Sequence, residues 1–214
     1  MIATDNSMIT HRIGRFVIKV PDSMKVAQRS ASLRFTELKE VSWPKQLDLT
    51  QQRETSWIKR LGEIEQLKPP RGKDKVTIEI KTLSSIPWSK GVLYFGDQYS
   101  SKTMFWEMLV DQGGIGLWLK QDGIDRKLME ENGLDIARAY RPLNPAAPPK
   151  ENVFHLEHGY IALPYIEPED ASTRFEGHPL GVVLRIQTTT THEVEEPGLI
   201  ERTTAAITSG FAAG

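Results

Sequence analysis

The stretch Thr103-Met-Phe-Trp-Glu-Met-Leu-Val-Asp-Gln-Gly-Gly-Ile-Gly-Leu-Trp-Leu-Lys120 contains two apolar segments on either side of a tight-turn signal. Aromatic and aliphatic residues fill Thr103 to Val110 and Ile115 to Lys120, as in strands with buried side chains. The Asp111–Gly114 segment has the composition of a hairpin turn. Hairpin turns join antiparallel strands, whereas parallel strands need long crossovers. The stretch therefore predicts an antiparallel hairpin in the strand-rich centre of the chain.

The residues on both sides of this hairpin extend the sheet. Lys75 to Leu83 alternates strictly between apolar and polar residues, and Gly91 to Phe95 is a short apolar run, so the centre is predicted to be an antiparallel meander. Further strands are predicted towards both ends of the chain: Arg12 to Val20, Met24 to Gln28, Ser32 to Val41, Val153 to Leu163 and Gly181 to Thr188.

Two segments have helical periodicity instead. In Leu47 to Lys68 the apolar residues recur at helical spacing, and Asp48 or Thr50 is predicted to cap its start. Asp125 to Ala139 is predicted to be a second helix, with a break at Gly133, and Leu199 to Ile207 is a short third candidate. The sequence thus predicts an α+β fold, an antiparallel β-meander sheet packed by two or three amphipathic helices. Regular strand–helix alternation, which Rossmann and barrel folds require, is missing.

Composition limits the function classes. The 214 residues include 39% hydrophobic and 26% charged residues, typical of a globular chain, and the net charge is -1. Such a balance disfavours nucleic acid as a partner, and no apolar run approaches the ~20 residues that a membrane helix needs. The absence of cysteine excludes disulfides, thiolate metal sites and cysteine nucleophiles. We predict one domain over residues 11–208, with flexible ends at 1–10 and 209–214.

His155-Leu-Glu-His158 is the first candidate for metal or acid–base chemistry. Histidines three residues apart share a face on a helix. The neighbouring residues predict a strand here, in which positions three apart point to opposite faces, so a local chelate is disfavoured. His178 and His192 have no local relation to this pair. We therefore predict no catalytic, cofactor-binding or metal-binding residues, and no cofactor.

Other clusters are assigned to solvent or to the core. The acidic clusters Glu167, Glu169, Asp170 and Glu193, Glu195, Glu196 are predicted to lie at solvated loop edges, although paired carboxylates can perform glycosidic acid–base chemistry. The basic cluster is predicted to be a solvated loop (Lys68, Arg71, Lys73, Lys75). The aromatic residues of the meander are predicted to be mostly core, and an exposed one would indicate a binding face (Tyr94, Phe95, Phe105, Trp106, Trp118).

Three segments resemble a known family. His11-Arg-Ile-Gly-Arg-Phe-Val-Ile-Lys-Val-Pro21 resembles the opening strand of the Tli4-like immunity proteins of type VI secretion systems, although Arg12 stands where the family pattern has a cysteine. Phe154-His-Leu-Glu-His-Gly-Tyr-Ile-Ala-Leu-Pro164 and Thr173-Arg-Phe-Glu-Gly-His-Pro-Leu180 resemble later blocks. The similarity continues to His192-Glu-Val-Glu-Glu-Pro-Gly-Leu199, while the middle of the chain matches only loosely.

This resemblance implies a binding protein. Such a protein docks on a cognate type VI lipase or phospholipase effector and blocks access to its active site, without turnover or cofactor. Because family members continue into a further domain, it also implies that this chain corresponds to the N-terminal domain or to a truncated member. Its location is then periplasmic, but the start from Met1 to Met8 has no signal-peptide pattern, and the location is cytoplasmic if this start is genuine. Two alternatives stay open: a hydrolase using His155, His158 and carboxylates, and an adaptor whose partner is not a toxin.

Overall fold

A computed structural model describes residues 7–44, 48–144, 146, 149, 152–165 and 168–189. Its elements follow in chain order: β1 (Met8–Ile13), β2 (Phe16–Pro21), β3 (Lys25–Leu33), β4 (Thr36–Ser42), α1 (Leu49–Glu65), β5 (Thr77–Thr82), β6 (Trp88–Phe95), β7 (Met104–Gln112), β8 (Ile115–Gly123), α2 (Arg126–Ala139), β9 (Tyr140–Pro142), β10 (Phe154–His155), β11 (Gly159–Ile161), β12 (Glu169–Glu176) and β13 (Leu184–Thr189). The predicted α+β class is confirmed.

An eight-stranded antiparallel sheet organises the molecule. Its strand order is β13-β12-β3-β4-β8-β7-β6-β5, so the predicted meander forms one half, from β5 to β8. The hairpin β1–β2 and the small sheet β10-β11-β9 are separate. None of the described helices is long and apolar enough to cross a membrane.

The segment predicted as one strand from Arg12 to Val20 is a hairpin instead. β1 and β2 pair from Met8↔Pro21 to Ile13↔Phe16. The turn between them contains Gly14 at φ 55°, a left-handed conformation that glycine adopts readily. The prediction of one strand was wrong because a single glycine within a β-branched run is a weak turn signal.

The second early strand, predicted from Ser32 to Val41, also contains a turn. Arg34 and Phe35 have φ values of 50° and 63°, and they connect β3 to β4 as a two-residue loop. Such loops usually contain Asn-Gly or a related pair, so the composition of Arg34-Phe35 does not indicate a turn. The turn places Leu33, Thr36 and Leu38 in the core and Glu37 on the opposite face, so the prediction of one strand was wrong.

Of the two cap candidates for the first helix, Asp48 is confirmed, and the second helix begins directly after Asp125, within one residue of its predicted start. The Asp48 side chain accepts a hydrogen bond from the Gln51 backbone N–H at 2.7 Å, and Asp125 caps α2 in the same way through Leu128. The predicted break at Gly133 is wrong, because α2 runs through it, with Gly133 buried close to Trp106. The third helix candidate lies outside the described residues.

The two faces of the large sheet are covered differently. On one face, α1 packs Trp57 and Ile64 against Val92 and Leu109 of the meander. On the other face, α2, the β1–β2 hairpin and the β9–β11 sheet enclose the larger core. On the α1 face, no described helix covers the other half of the sheet, where β13, β12, β3 and β4 lie. That half faces a groove.

Candidate functional site

The groove occupies about 810 Å³ beside α1 and has a polar floor. One row of the floor crosses five strands through directly paired residues: Asp170, Ser32, Glu37, Lys120 and Glu107. Side chains of directly paired residues are neighbours on one face of a sheet. The row alternates acidic, neutral and basic groups, so this floor is built to contact polar partners rather than an apolar ligand.

An ion pair forms the wall of the groove at α1. Arg60 donates from Nε to the buried carboxylate of Glu107 at 2.8 Å and from Nη1 to Glu63 at 2.8 Å. Although burial opposes it, hydrogen bonding to Glu107 and Glu63 raises the pKa of Arg60. Arg60 also donates from Nη2 to the hydroxyl of Tyr94 at 3.4 Å. Burial, followed by the charge of Glu107, raises the pKa of Tyr94. The Arg60 guanidinium in this wall therefore stays protonated.

A gap in the sheet opens the groove towards the other face. β3 and β4 pair over only three residue pairs, from Leu33↔Thr36 to Ala31↔Leu38, although β3 extends to Lys25 and β4 extends to Ser42. The cavity is lined by residues of both sheet faces at this point, Ser30 and Lys39 on the α1 side and Arg29 and Glu40 on the other. We call this gap, between residues 25–30 of β3 and 39–42 of β4, the split.

Cationic side chains surround the split on the face opposite α1. Within the described residues, Arg12 and Arg29 form no ion pair, and Nε of Arg29 and Nδ1 of His155 are buried without a hydrogen-bond partner. Burial, followed by the charges of Arg12 and Arg15, lowers the pKa of His155. His155 is thus neutral near pH 7 and can donate a hydrogen bond, and the two arginines supply charge.

Glu40 fixes the far wall of the split. Its carboxylate accepts hydrogen bonds from the Tyr140 hydroxyl at 2.7 Å and from the backbone N–H groups of Glu157 and His158, each at 2.7 Å. The turn between β10 and β11 is therefore tied to β4. Because these donors already engage Glu40, its charge is compensated locally, and the excess charge at the split is positive.

The segment containing His155 and His158 was predicted as one strand, and this is wrong. His155 lies on β10, and His158 lies in the turn before β11. In the described part of the chain, neither imidazole hydrogen-bonds a carboxylate, and no group of three His, Asp or Glu side chains is placed to hold a metal. His178 accepts a hydrogen bond from the Leu180 N–H, and His192 lies outside the described residues. The structure does not bring the predicted candidates together.

One residue of the acidic clusters, Glu169, is buried rather than at the solvated loop edge predicted for it. Glu169 is 5% exposed on β12, a strand that the sequence reasoning missed, and it pairs with Arg15. Asp170 is the next residue and lines the groove. Glu167 and the cluster Glu193, Glu195, Glu196 lie outside the described residues. The basic cluster forms an exposed loop as predicted (Lys68, Arg71, Lys73, Lys75).

The aromatic residues of the meander are mostly core, as predicted. Tyr94, Phe95 and Trp106 are buried, because helices cover both faces of this half of the sheet. Trp118 is half-buried, stacks on Trp57 with ring centroids 6.0 Å apart and lines the groove. The sequence reasoning missed the charged groove residues, although the alternation Glu37-Leu-Lys39 on a strand was a usable signal.

Comparison with known proteins identifies structures of the same fold. No protein-family model matches the sequence, and no curated protein is significantly similar. The apo immunity protein TplEi of the type VI secretion system from Pseudomonas aeruginosa superposes with a TM-score of 0.70 at 21% identity, over 98% of this chain and 69% of that chain. A structure of the Tle4–Tli4 complex matches with a TM-score of 0.71 at 20% identity, over 97% and 67%. TplEi bound to an "L" peptide gives 0.64 at 18% identity, over 98% and 68%.

Proposed function

We propose that this chain, whose fold is that of type VI secretion immunity proteins, is itself an immunity protein that binds and neutralises an effector. The observation that carries the proposal is the fold match along 97–98% of the chain to TplEi and to the Tle4–Tli4 complex. Because Tli4 is found there in complex with a second protein, Tle4, the match supports a protein partner here as well. The polar groove is a surface suited to such a partner.

We further propose that the effector is a lipase and that inhibition comes from blocking access to its active site. The resemblance of three sequence blocks to Tli4-like proteins supports the lipase class. A stable interface of this kind buries ~1,000 Å² or more. The open groove beside α1, together with the split, supplies the recessed part of such a surface, and the wall formed by Arg60 and Glu107 supplies a rigid edge.

The decisive experiment is a titration of the chain against the purified lipase encoded beside its gene. We expect complete inhibition of ester hydrolysis at a 1:1 ratio and a stable complex in size-exclusion chromatography. Charge reversal in the groove by Lys39→Glu should weaken inhibition, whereas Lys68→Glu, in the exposed basic loop, serves as the matched control and should not. An unbound, uninhibited lipase would overturn the proposal and leave the adaptor alternative.

Two further tests address the domain limits and the location. The predicted domain limit at residue 11 would cut β1, which begins at Met8 and pairs with β2 from Met8↔Pro21. We therefore propose that the inhibitory domain is residues 8–208, and a chain trimmed to these limits should inhibit as well as the full sequence. We also propose action in the periplasm. Cells that receive the lipase in the periplasm should survive only when the chain reaches the periplasm as well. Protection by the unexported chain against a cytoplasmic lipase alone would place its action in the cytoplasm.

A further inference from the structure

Within the described residues, the split leaves backbone hydrogen-bonding groups of β3 and β4 without strand partners. Because β3 and β4 are joined by a two-residue turn, Leu33 and Thr36 form a hydrogen-bonded pair. In an antiparallel ladder, every second residue of a strand directs its N–H and C=O towards the same neighbouring strand. The backbone groups of Arg29 therefore point towards β4, and those of Glu40 point towards β3. The ladder ends at Ala31↔Leu38, two residue pairs before Arg29 and Glu40 would meet. In the described part of the chain, Arg29 and Glu40 therefore each present an unpaired strand edge to the cavity.

Strand edges inside a groove are unlike the ends of a sheet. An exposed edge can accept an extended segment by strand addition, in which main-chain hydrogen bonds supply affinity and side-chain pockets supply specificity. The outer sides of both strands are already paired, β3 with β12 and β4 with β8. The two inner edges are thus held in place by the pairing of β3 with β12 and of β4 with β8.

The charges around the split decide which segment fits. Arg12 and Arg29 form no ion pair among the described residues, and Arg29 and His155 each have a buried nitrogen without a partner. The Gly14 carbonyl accepts the His155 backbone N–H at 2.8 Å, which places the imidazole beside the hairpin that carries Arg12. Of the nearby carboxylates, Glu40 is engaged by three donors, and Glu157 is exposed. An acidic side chain would therefore be attracted here.

We propose that the split is a strand-acceptor site that takes an extended, acidic segment of a partner protein, hydrogen-bonded along Arg29 and Glu40. An Asp or Glu of that segment binds Arg29, with Arg12 and His155 beside it. The proposal rests on the proposed function only for the identity of the partner, because the chemistry of the site is independent of it.

The first test uses peptides and does not need the effector. The probes are acetyl-(Thr-Glu)₄-amide and acetyl-(Thr-Lys)₄-amide, added to the ¹⁵N-labelled full chain. We expect the glutamate peptide to shift the amide signals of Arg29 and Glu40 and the lysine peptide to leave them unchanged. Unchanged signals with both peptides would overturn the site, and equal shifts with both would overturn its preference for acidic segments.

The second test uses the cognate effector. Arg29→Gln should weaken the complex about tenfold or more, because hydrogen bonds to charged groups are among the stronger polar interactions. The control Arg71→Gln removes an exposed cation of the basic loop, which does not line the groove, and should change affinity less than twofold. Hydrogen exchange should also show protection of the Glu40 amide in the complex. An effector that binds tightly without this protection would overturn the proposal and leave the proposed function intact, whereas an effector that does not bind counts against the function alone.

Discussion

The ion pair between Arg15 and Glu169 should contribute substantially to stability. Arg15 donates from Nε and Nη2 to the two carboxylate oxygens of Glu169 at 2.7 and 2.6 Å, and the side chains are 14% and 5% exposed. Arg15 also donates to the backbone carbonyls of Leu163, at 3.1 Å, and of Asn152. One side chain thus connects the β1–β2 hairpin, β12 and the segment after β11.

Removal of the carboxylate should leave the guanidinium charge poorly compensated. Breaking a buried pair from one side costs about 3–5 kcal/mol. Because Arg15 keeps its carbonyl acceptors and some solvent exposure, we expect Glu169→Gln to lower the free energy of unfolding by about 3 kcal/mol. For a domain of this size, that loss corresponds to a fall in Tm of roughly 6–12 °C. Urea unfolding followed by circular dichroism measures the change.

A double-mutant cycle separates the pair from other effects of each substitution. Arg15→Met removes the charge and keeps much of the stem, and the double variant should lose clearly less stability than the sum of the single variants, with a coupling of about 2 kcal/mol. The exposed pair Lys127–Glu131 is the control, and its coupling should stay below about 0.5 kcal/mol. Additive losses at Arg15 and Glu169 would show that the two side chains do not stabilise each other.

Three further predictions concern packing, a buried hydroxyl and pH. Gly91→Ala should lower the free energy of unfolding by about 1–3 kcal/mol in thermal melts, because the added methyl would lie 2.4 Å from Trp106. The control Gly62→Ala adds a methyl in open space on α1 and should raise the free energy of unfolding by about 0.5–1 kcal/mol. Tyr140→Phe should cost about 2 kcal/mol in urea unfolding by removing a hydrogen bond to a carboxylate of β4, and an unchanged midpoint would contradict that bond. The pKa of His155 is lowered from 6.5 in the folded state, so the unfolded chain binds the proton more readily. The free energy of unfolding should therefore fall as the pH drops below 6.5. His155→Asn should reduce this dependence of the urea midpoint on pH between pH 7.5 and 5.5.

The sequence predicted best the features that depend on local period and local hydrogen bonding. The helical spacing of Trp57 and Ile64, the cap Asp48 and the strict alternation of β5 each depend on residues within a few positions of one another. Its errors lie where two strands meet at a turn of unusual composition. Arg34 and Phe35 both adopt left-handed conformations, and neither residue type signals that conformation.

The candidate site depends on contacts that no local pattern contains. The side-chain period of a strand shows which residues share a face, but it does not show which strand lies beside it. The neighbours of β3 are β4, directly after it, and β12, which follows more than 130 residues later, and the early end of pairing with β4 creates the split. Alternation therefore indicated polar and apolar faces, but not a groove.

The α+β class, the capping of the first helix and the antiparallel meander could be predicted from the sequence, because they follow from periodicity, capping chemistry and hairpin turns between neighbours in the chain. Only the tertiary structure decided which charges meet and which strand edges stay free. Arg15 and Glu169 are 154 residues apart in the chain, and Glu40 is 100 residues or more from each of its donors. Their contacts depend on the packing of separate elements, which sequence spacing does not encode.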